Sequence, residues 1–292
     1  MQYSKFFDEL FSSPIVATDA ALGKYFPYLH AHKEGTILEF PATEKLVMGF
    51  FDGMMKSPYS ALGTTPENKA TGVAIIPIHG LLTKNGSWWD PGTDEIAESL
   101  LALYADDSIK AIVFDFNSQG GTTHSIIPME DAIAKRNKTI ISAINPQCCS
   151  ASNYLASLTD KIFSTHSMGE VGSIGIYGSW MNKDKFYANE GIKIYKIYPP
   201  ESNWKNLPTR EAEAGKTKLY QDEILSPWAI HFQDIVKKNR PNLDMTVDGI
   251  LNGRTFYAFD AVKNGLIDGI KPMDEILNYA FDYNNRKKFE NL

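Results

Sequence analysis

The sequence predicts an α/β protein with a largely parallel sheet and flanking helices. Short apolar runs rich in β-branched residues recur from residue 72 onward, stretches of helical period lie between them, and small-residue turns close the runs. Strands alternating with helices form βαβ units, whose right-handed crossovers make neighbouring strands parallel.

The elements follow in order. Gly72 to His79 reads as a buried strand ended by Gly80. Asp94 to Asp106 sets Ile96, Leu100, Leu101 and Tyr104 on one helical face, with Thr93 or Asp94 as N-cap. Ile109 to Phe116 is a second strand, Ser125 to Arg136 a helix, and Thr139 to Ile144 a third strand. Ala151 to Leu158 reads as helix, Ile162 to Thr165 as a short strand, and Ser173 to Tyr177 as another. Glu211 to Asn239 is a long amphipathic helical stretch interrupted near Pro227. Residues 1–68 are punctuated by Pro14, Pro27, Pro41, Pro58 and Pro66, and are expected to form an N-terminal arm or small helical subdomain with a packing role. The main domain then covers 69–283, and 284–292 is expected to be a flexible tail.

The 292 residues carry 29 Lys+Arg against 35 Asp+Glu, a formal charge of −6 with no basic run. Nucleic acid and anionic membrane surfaces are therefore not expected as main partners, because both require concentrated positive charge. Cys148 and Cys149 are the two cysteines, and adjacent residues cannot form a disulfide framework; a reducing compartment fits. Met1 to Leu10 is broken by Lys5, Asp8 and Glu9, unlike a signal peptide, and no window approaches the roughly 18 uncharged apolar residues of a spanning helix. A soluble, cytoplasmic protein is expected.

Three small-residue turns follow strand ends, where open α/β sheets place ligands. Asn117-Ser118-Gln119-Gly120-Gly121 can bring a backbone N–H close to a ligand oxygen. Ser150, between Cys149 and Ala151, opens a helix, where unpaired amides favour a developing oxyanion; it is either a nucleophile or an N-cap. Cys149 is the weaker nucleophile candidate, since it belongs to the strand. Gly172-Ser173-Ile174-Gly175 can bring a hydroxyl near a catalytic group or serve as a plain strand entry. For a base, His124 is the best placed histidine, with His166 as a further candidate, but no histidine forms a local pattern with an acid. A lysine can act instead if burial moves it from about 10.4 to about 7, and Lys205, beside Trp204, Leu207 and Pro208, has apolar neighbours.

Together these segments resemble the signal peptide peptidase A serine peptidases, which share the ClpP/crotonase fold and use a Ser/Lys dyad. Gly72 to Leu82 is similar to that family's opening strand, and Asn117 to Gly121 to its Asn-Ser-Pro-Gly-Gly loop. Cys148 to Ser157 aligns with its Ala-Ala-Ser stretch, and Gly172 to Gly175 matches Gly-Ser-Ile-Gly. Gly253-Arg254-Thr255-Phe256, Ala261 and Gly265-Leu266-Ile267-Asp268 match the closing element. The resemblance covers roughly residues 72 to 270. It implies Ser150 as nucleophile, Lys205 (205 − 150 = 55 positions later) as general base, and Ser173 as the hydroxyl orienting the amine. Gly120 or Gly121, with the backbone of Ala151, would form the oxyanion hole. The related Clp protease subunit places a histidine about two dozen residues after its serine; Ser173 to Tyr177 contains none.

The chain departs from the pattern at Gln119, Cys148, Cys149 and Asn153. The resemblance implies no cofactor and no metal, a peptide or protein substrate, and a homo-oligomer whose dyad can be completed across subunits. The arm around Phe11 to Thr18 is similar to bacteriophage or prophage members that process scaffold or capsid proteins. Cytosolic peptide degradation, an acyl-CoA hydratase or isomerase of crotonase type, and a catalytically inactive assembly protein are the competing readings. The acidic oxyanion-loop residues and basic CoA site of the crotonase type are not found near Gly120 or Ser150.

Overall fold

The computed structural model describes residues 15–16, 49–51, 72–86, 90–180, 182 and 184–290, with side chains within 72–283. Apart from two short segments, the arm expected over 1–68 lies outside the described residues.

Those segments are β1 (Ile15–Val16) and β2 (Gly49–Phe51). The expected alternation then begins: β3 (Gly72–Leu82), α1 (Thr93–Ala105), β4 (Ile109–Thr122), α2 (Ile126–Ala134), β5 (Thr139–Cys149), α3 (Ala151–Ser157) and β6 (Lys161–Ser164). Gly92, not Thr93 or Asp94, caps α1, and the Thr93 hydroxyl donates to the Thr83 carbonyl instead. β4 and β5 run several residues beyond their apolar cores, because sheet pairing continues through the polar ends. Asn117 pairs with Gln147 and Ser118 with Cys148.

Next come β7 (Glu170–Gly172), α4 (Asp184–Asn189), α5 (Leu207–Glu213) and α6 (Ser226–Asn239). The strand expected at Ser173 to Tyr177 lies earlier, at Glu170–Gly172. Positive φ at Gly172 (109°) and Ser173 (54°) turns the chain out of extended geometry at that point. The expected helical stretch is divided twice: after α5, where Gly215 sits at φ 85°, and near Pro227, where a π-helical segment (Gln221–Leu225) runs directly into α6. Helical backbone already runs from Lys218 to this point, so the N–H that Pro227 lacks is missing from the interior of the stretch, where the hydrogen-bond ladder changes from π-helical to α-helical. The chain closes with β8 (Thr255–Tyr257), α7 (Ala258–Lys263), β9 (Gly269–Ile270) and α8 (Met273–Glu290); the backbone of α8 continues into the expected tail.

The sheet order is β2-β3-β4-β5-β6-β9. β3, β4, β5, β6 and β9 are mutually parallel, β2 is antiparallel to β3, and the antiparallel pair β7/β8 attaches through a parallel β5/β7 ladder. This is the largely parallel α/β architecture that the alternation predicts. Successive side chains point to opposite faces. One face of β4 sends Ile112, Phe114 and Phe116 into the main core, with α1, α2, α3 and α6. The other sends Ala111 and Val113 against Ile276, Leu277 and Ala280 of α8.

β5 changes partners along its length. Ile141 to Ile144 pair with β6, whereas Gln147 to Cys149 pair with β7. Its upper end therefore leaves β6 and delivers Ser150 beside Gly172.

Candidate active site

Ser150 sits at the sharp turn between β5 and α3, at φ 57° and ψ −121°. An L-residue avoids that conformation at a cost of about 1–3 kcal/mol, and such strain clusters at functional sites. The strained serine is itself the joint between strand and helix, and it is buried. Three non-glycine residues with positive φ are described: Ser150, Ser173 and Asn206. Two are sequence-predicted site residues, and the third follows Lys205.

Hydrogen bonds tie these turns together. The Ser150 N–H donates to Gly172 O (2.8 Å), and the Ser173 N–H donates to Arg254 O (2.9 Å). β7 and β8 thus hold Ser173 one residue from the partner of Ser150. A Cβ at Gly172 would fall 2.7 Å from Arg254 O, so glycine permits that approach.

The glycine loop reaches the same place from β4. The Ser118 hydroxyl donates to Gly80 O (2.7 Å) and accepts the Gly120 N–H (3.1 Å). The Ser152 hydroxyl, in the first turn of α3, lies 2.9 Å from Ser118 O and 2.7 Å from Cys149 O. These two serines lash the loop to the helix that Ser150 opens. Sequence reasoning missed both; the signal was present, since each lies two residues from a singled-out position, Gly120 or Ser150. The Gly120 amide is engaged by Ser118, and Gly121 is paired with Leu82 of β3 and Val16 of β1. A Cβ at Gly121 would fall 1.8 Å from Leu82 O. Gly121→Ala is therefore expected to part β3 from β4 and cost at least about 3 kcal/mol in urea denaturation. Gly191→Ala, at φ 70° in open space, should cost only about 1 kcal/mol.

The cysteines are free and buried. Burial, foremost, pushes the Cys149 thiol up to about 12, with the Glu170 carboxylate adding to it and a Thr255 hydrogen bond opposing it. Burial also raises Cys148 well above the thiol range. Neither supplies a thiolate near neutral pH, so Cys149 is a poor nucleophile. Asn153 is buried in the first turn of α3, and its Oδ1 has no hydrogen-bond partner. His124 and His166 are exposed, and His166 uses Nδ1 to accept the Met168 N–H.

Lys205 follows a 3-10 turn (Pro200–Ser202) and is exposed in the single chain, where its backbone N–H donates to Ser202 O. Around it Arg210 stacks on the Tyr198 ring (4.2 Å) and bonds Asn203 O. Ser150, by contrast, is 2% exposed. Within one chain the lysine thus lacks the burial a neutral amine needs. Among the described residues no group of three or more His, Cys, Asp or Glu side chains could hold a metal ion, and no helix is long and apolar enough to cross a membrane.

A strained serine at a helix start, lashed to a glycine loop through Ser118 and Ser152, makes this the candidate active site. Comparison with known proteins makes the class specific: residues 132–285 match the model described as "Peptidase family S49". The chain belongs to peptidase family S49. It is 27% identical over 224 residues to "Protease 4" of Haemophilus influenzae, covering 74% of this chain and 35% of that protein. It is 26% identical to the "Putative signal peptide peptidase SppA" of Enterococcus faecium, over 61% of this chain and 52% of the relative. It is also 26% identical to the "Head-tail preconnector protein GP5" of Enterobacteria phage P21, over 73% and 44% respectively. The chain thus spans about half, or less, of the length of these relatives.

Proposed function

We propose that the protein is a serine endopeptidase that works through a Ser/Lys dyad and an acyl-enzyme. Ser150 attacks the peptide carbonyl while a neutral Lys205 takes its proton, and Ser173 orients the amine. The amides of Gly121 and Ala151 bind the oxyanion, and water then releases the acyl group. The single observation that carries this reading is the strained Ser150 turn, bonded to Gly172 beside the second strained serine.

The site becomes complete in an assembly. Exposed apolar side chains concentrate in the stretch leading to Lys205: Ile192, Ile194, Tyr195, Ile197 (91% exposed) and Trp204 (63%). Large side chains of this kind mark a protein contact surface, and a neighbouring copy would supply the burial that Lys205 lacks alone. Resemblance to a phage head-tail preconnector protein supports a role in head maturation or scaffold processing, in the host cytoplasm and at the assembling capsid. Peptide degradation is the alternative substrate class. Size-separated monomer and oligomer are expected to differ at least about tenfold in fluorophosphonate labelling of Ser150, with Lys205→Ala reducing the oligomer to the monomer level. Equal labelling of all three would overturn the dyad.

A second reading is an inactive assembly protein, favoured by the exposure of Lys205 in the single chain. Casein turnover that is lost in Ser150→Ala separates the two.

A further inference from the structure

β1 occupies a particular edge of the sheet. Up to Ser118, β4 is paired on both sides, with β3 on one edge and β5 on the other. β5 ends at Cys149 and turns into α3 at Ser150. Beyond that point β3 still covers its own edge, pairing Leu81 with Gly120 and Leu82 with Gly121. The opposite edge of Gln119–Thr122 is vacated just where Ser150 begins the helix. β1 fills it: Ile15 pairs with Thr122 and Val16 with Gly121, antiparallel. A strand has two edges, so a residue paired with both β3 and β1 must hold them on opposite sides.

We propose that the Ile15–Val16 strand is a resident pseudosubstrate, lying on the backbone edge that an extended substrate peptide must use. The inference rests on the peptidase reading above. A substrate that places its scissile carbonyl between Ser150 and the Gly121 amide has to run along this stretch of β4. Addition of a strand to an open edge is the general way a sheet recognises an extended peptide. An arm already paired there competes for the same N–H and C=O groups, and Ser150 is 2% exposed in this state. Substrate binding then requires the arm to leave, so the apparent activity is scaled by the fraction of molecules whose edge is open.

The test uses the full chain with Ile15→Pro and Val16→Pro as separate variants. Only one of two successive strand residues directs its N–H at β4, and proline removes that donor in one variant or the other. The readouts are hydrogen exchange at the Gln119–Thr122 amides and the rate of fluorophosphonate labelling of Ser150. At least one variant is expected to lose protection at Gly121 or Thr122 and to label at least about fivefold faster, with Tm unchanged. A synthetic peptide of residues 11–18 should slow labelling of that variant. Unchanged protection in both variants overturns the pairing. Lost protection with an unchanged labelling rate overturns the blocking role and leaves the peptidase reading standing. Lost protection with no labelling of any protein overturns both.

Discussion

Replacing Ser150 by alanine is expected to lower turnover of casein or a peptide substrate by on the order of 10⁴-fold or more, with the oligomer intact. Removing a serine nucleophile abolishes the covalent route, and what survives is the stabilisation from the oxyanion donors and binding. Stability should respond differently. Alanine at φ 57° keeps the backbone strain, whereas glycine has no Cβ to clash there. Ser150→Gly should therefore be more stable than Ser150→Ala by about 1 kcal/mol, a reversal of the order expected at an ordinary position. Equal turnover in Ser150→Ala and the parent would remove the nucleophile assignment. An unchanged order of stability would remove the strain assigned to the turn.

The parallel strands were legible because β3, β4 and β5 are buried on both faces and read as continuous apolar runs between helical patterns. The turns at Gly120, Ser150 and Ser173 were legible as punctuation between those runs. What escaped was set by pairing and backbone angle. β7 is three residues long and exists because β5 and β8 flank it, so no local period announces Glu170–Gly172. Glycine at 215 ended a helix that hydrophobic pattern alone carried onward, while proline at 227 marked a change of helical pitch, from the π-helical Gln221–Leu225 to α6, and not an end. The exposed stretch Ile192 to Ile197 has the composition of a buried strand but joins no strand among the described residues.

Asp268 is expected to matter most for stability. Its carboxylate accepts from the Ile162 N–H (2.8 Å), Arg240 Nη1 (2.9 Å) and Lys161 Nζ (3.0 Å), and its own N–H donates to Ile162 O (2.8 Å). It thereby clamps β6, the end of α6 and the approach to β9, giving a physical reason for aspartate to close the Gly265-Leu266-Ile267-Asp268 element. The Arg240 side chain is 11% exposed and Lys161 is 36% exposed, so Asp268→Ala strands one nearly buried cation and one partly solvated cation. Removing one partner of a buried pair costs about 3–5 kcal/mol, and solvent at Lys161 places the expected loss near the lower value. Burial acts to raise the Asp268 carboxyl, but the Arg240 hydrogen bond and charge, the Ile162 amide and Lys161 outweigh it and hold the group below the usual aspartate value. A depressed carboxyl stabilises the fold above the unfolded-state value near 3.9, and that stabilisation is lost as pH falls through the lower folded value. Thermal unfolding of the parent and Asp268→Asn should therefore differ most at neutral pH and converge as pH drops below about 4. A gap that stays constant down to pH 3, or a cost in Asp268→Ala below about 1 kcal/mol, would show that the cluster is held by the surrounding packing and not by its charges.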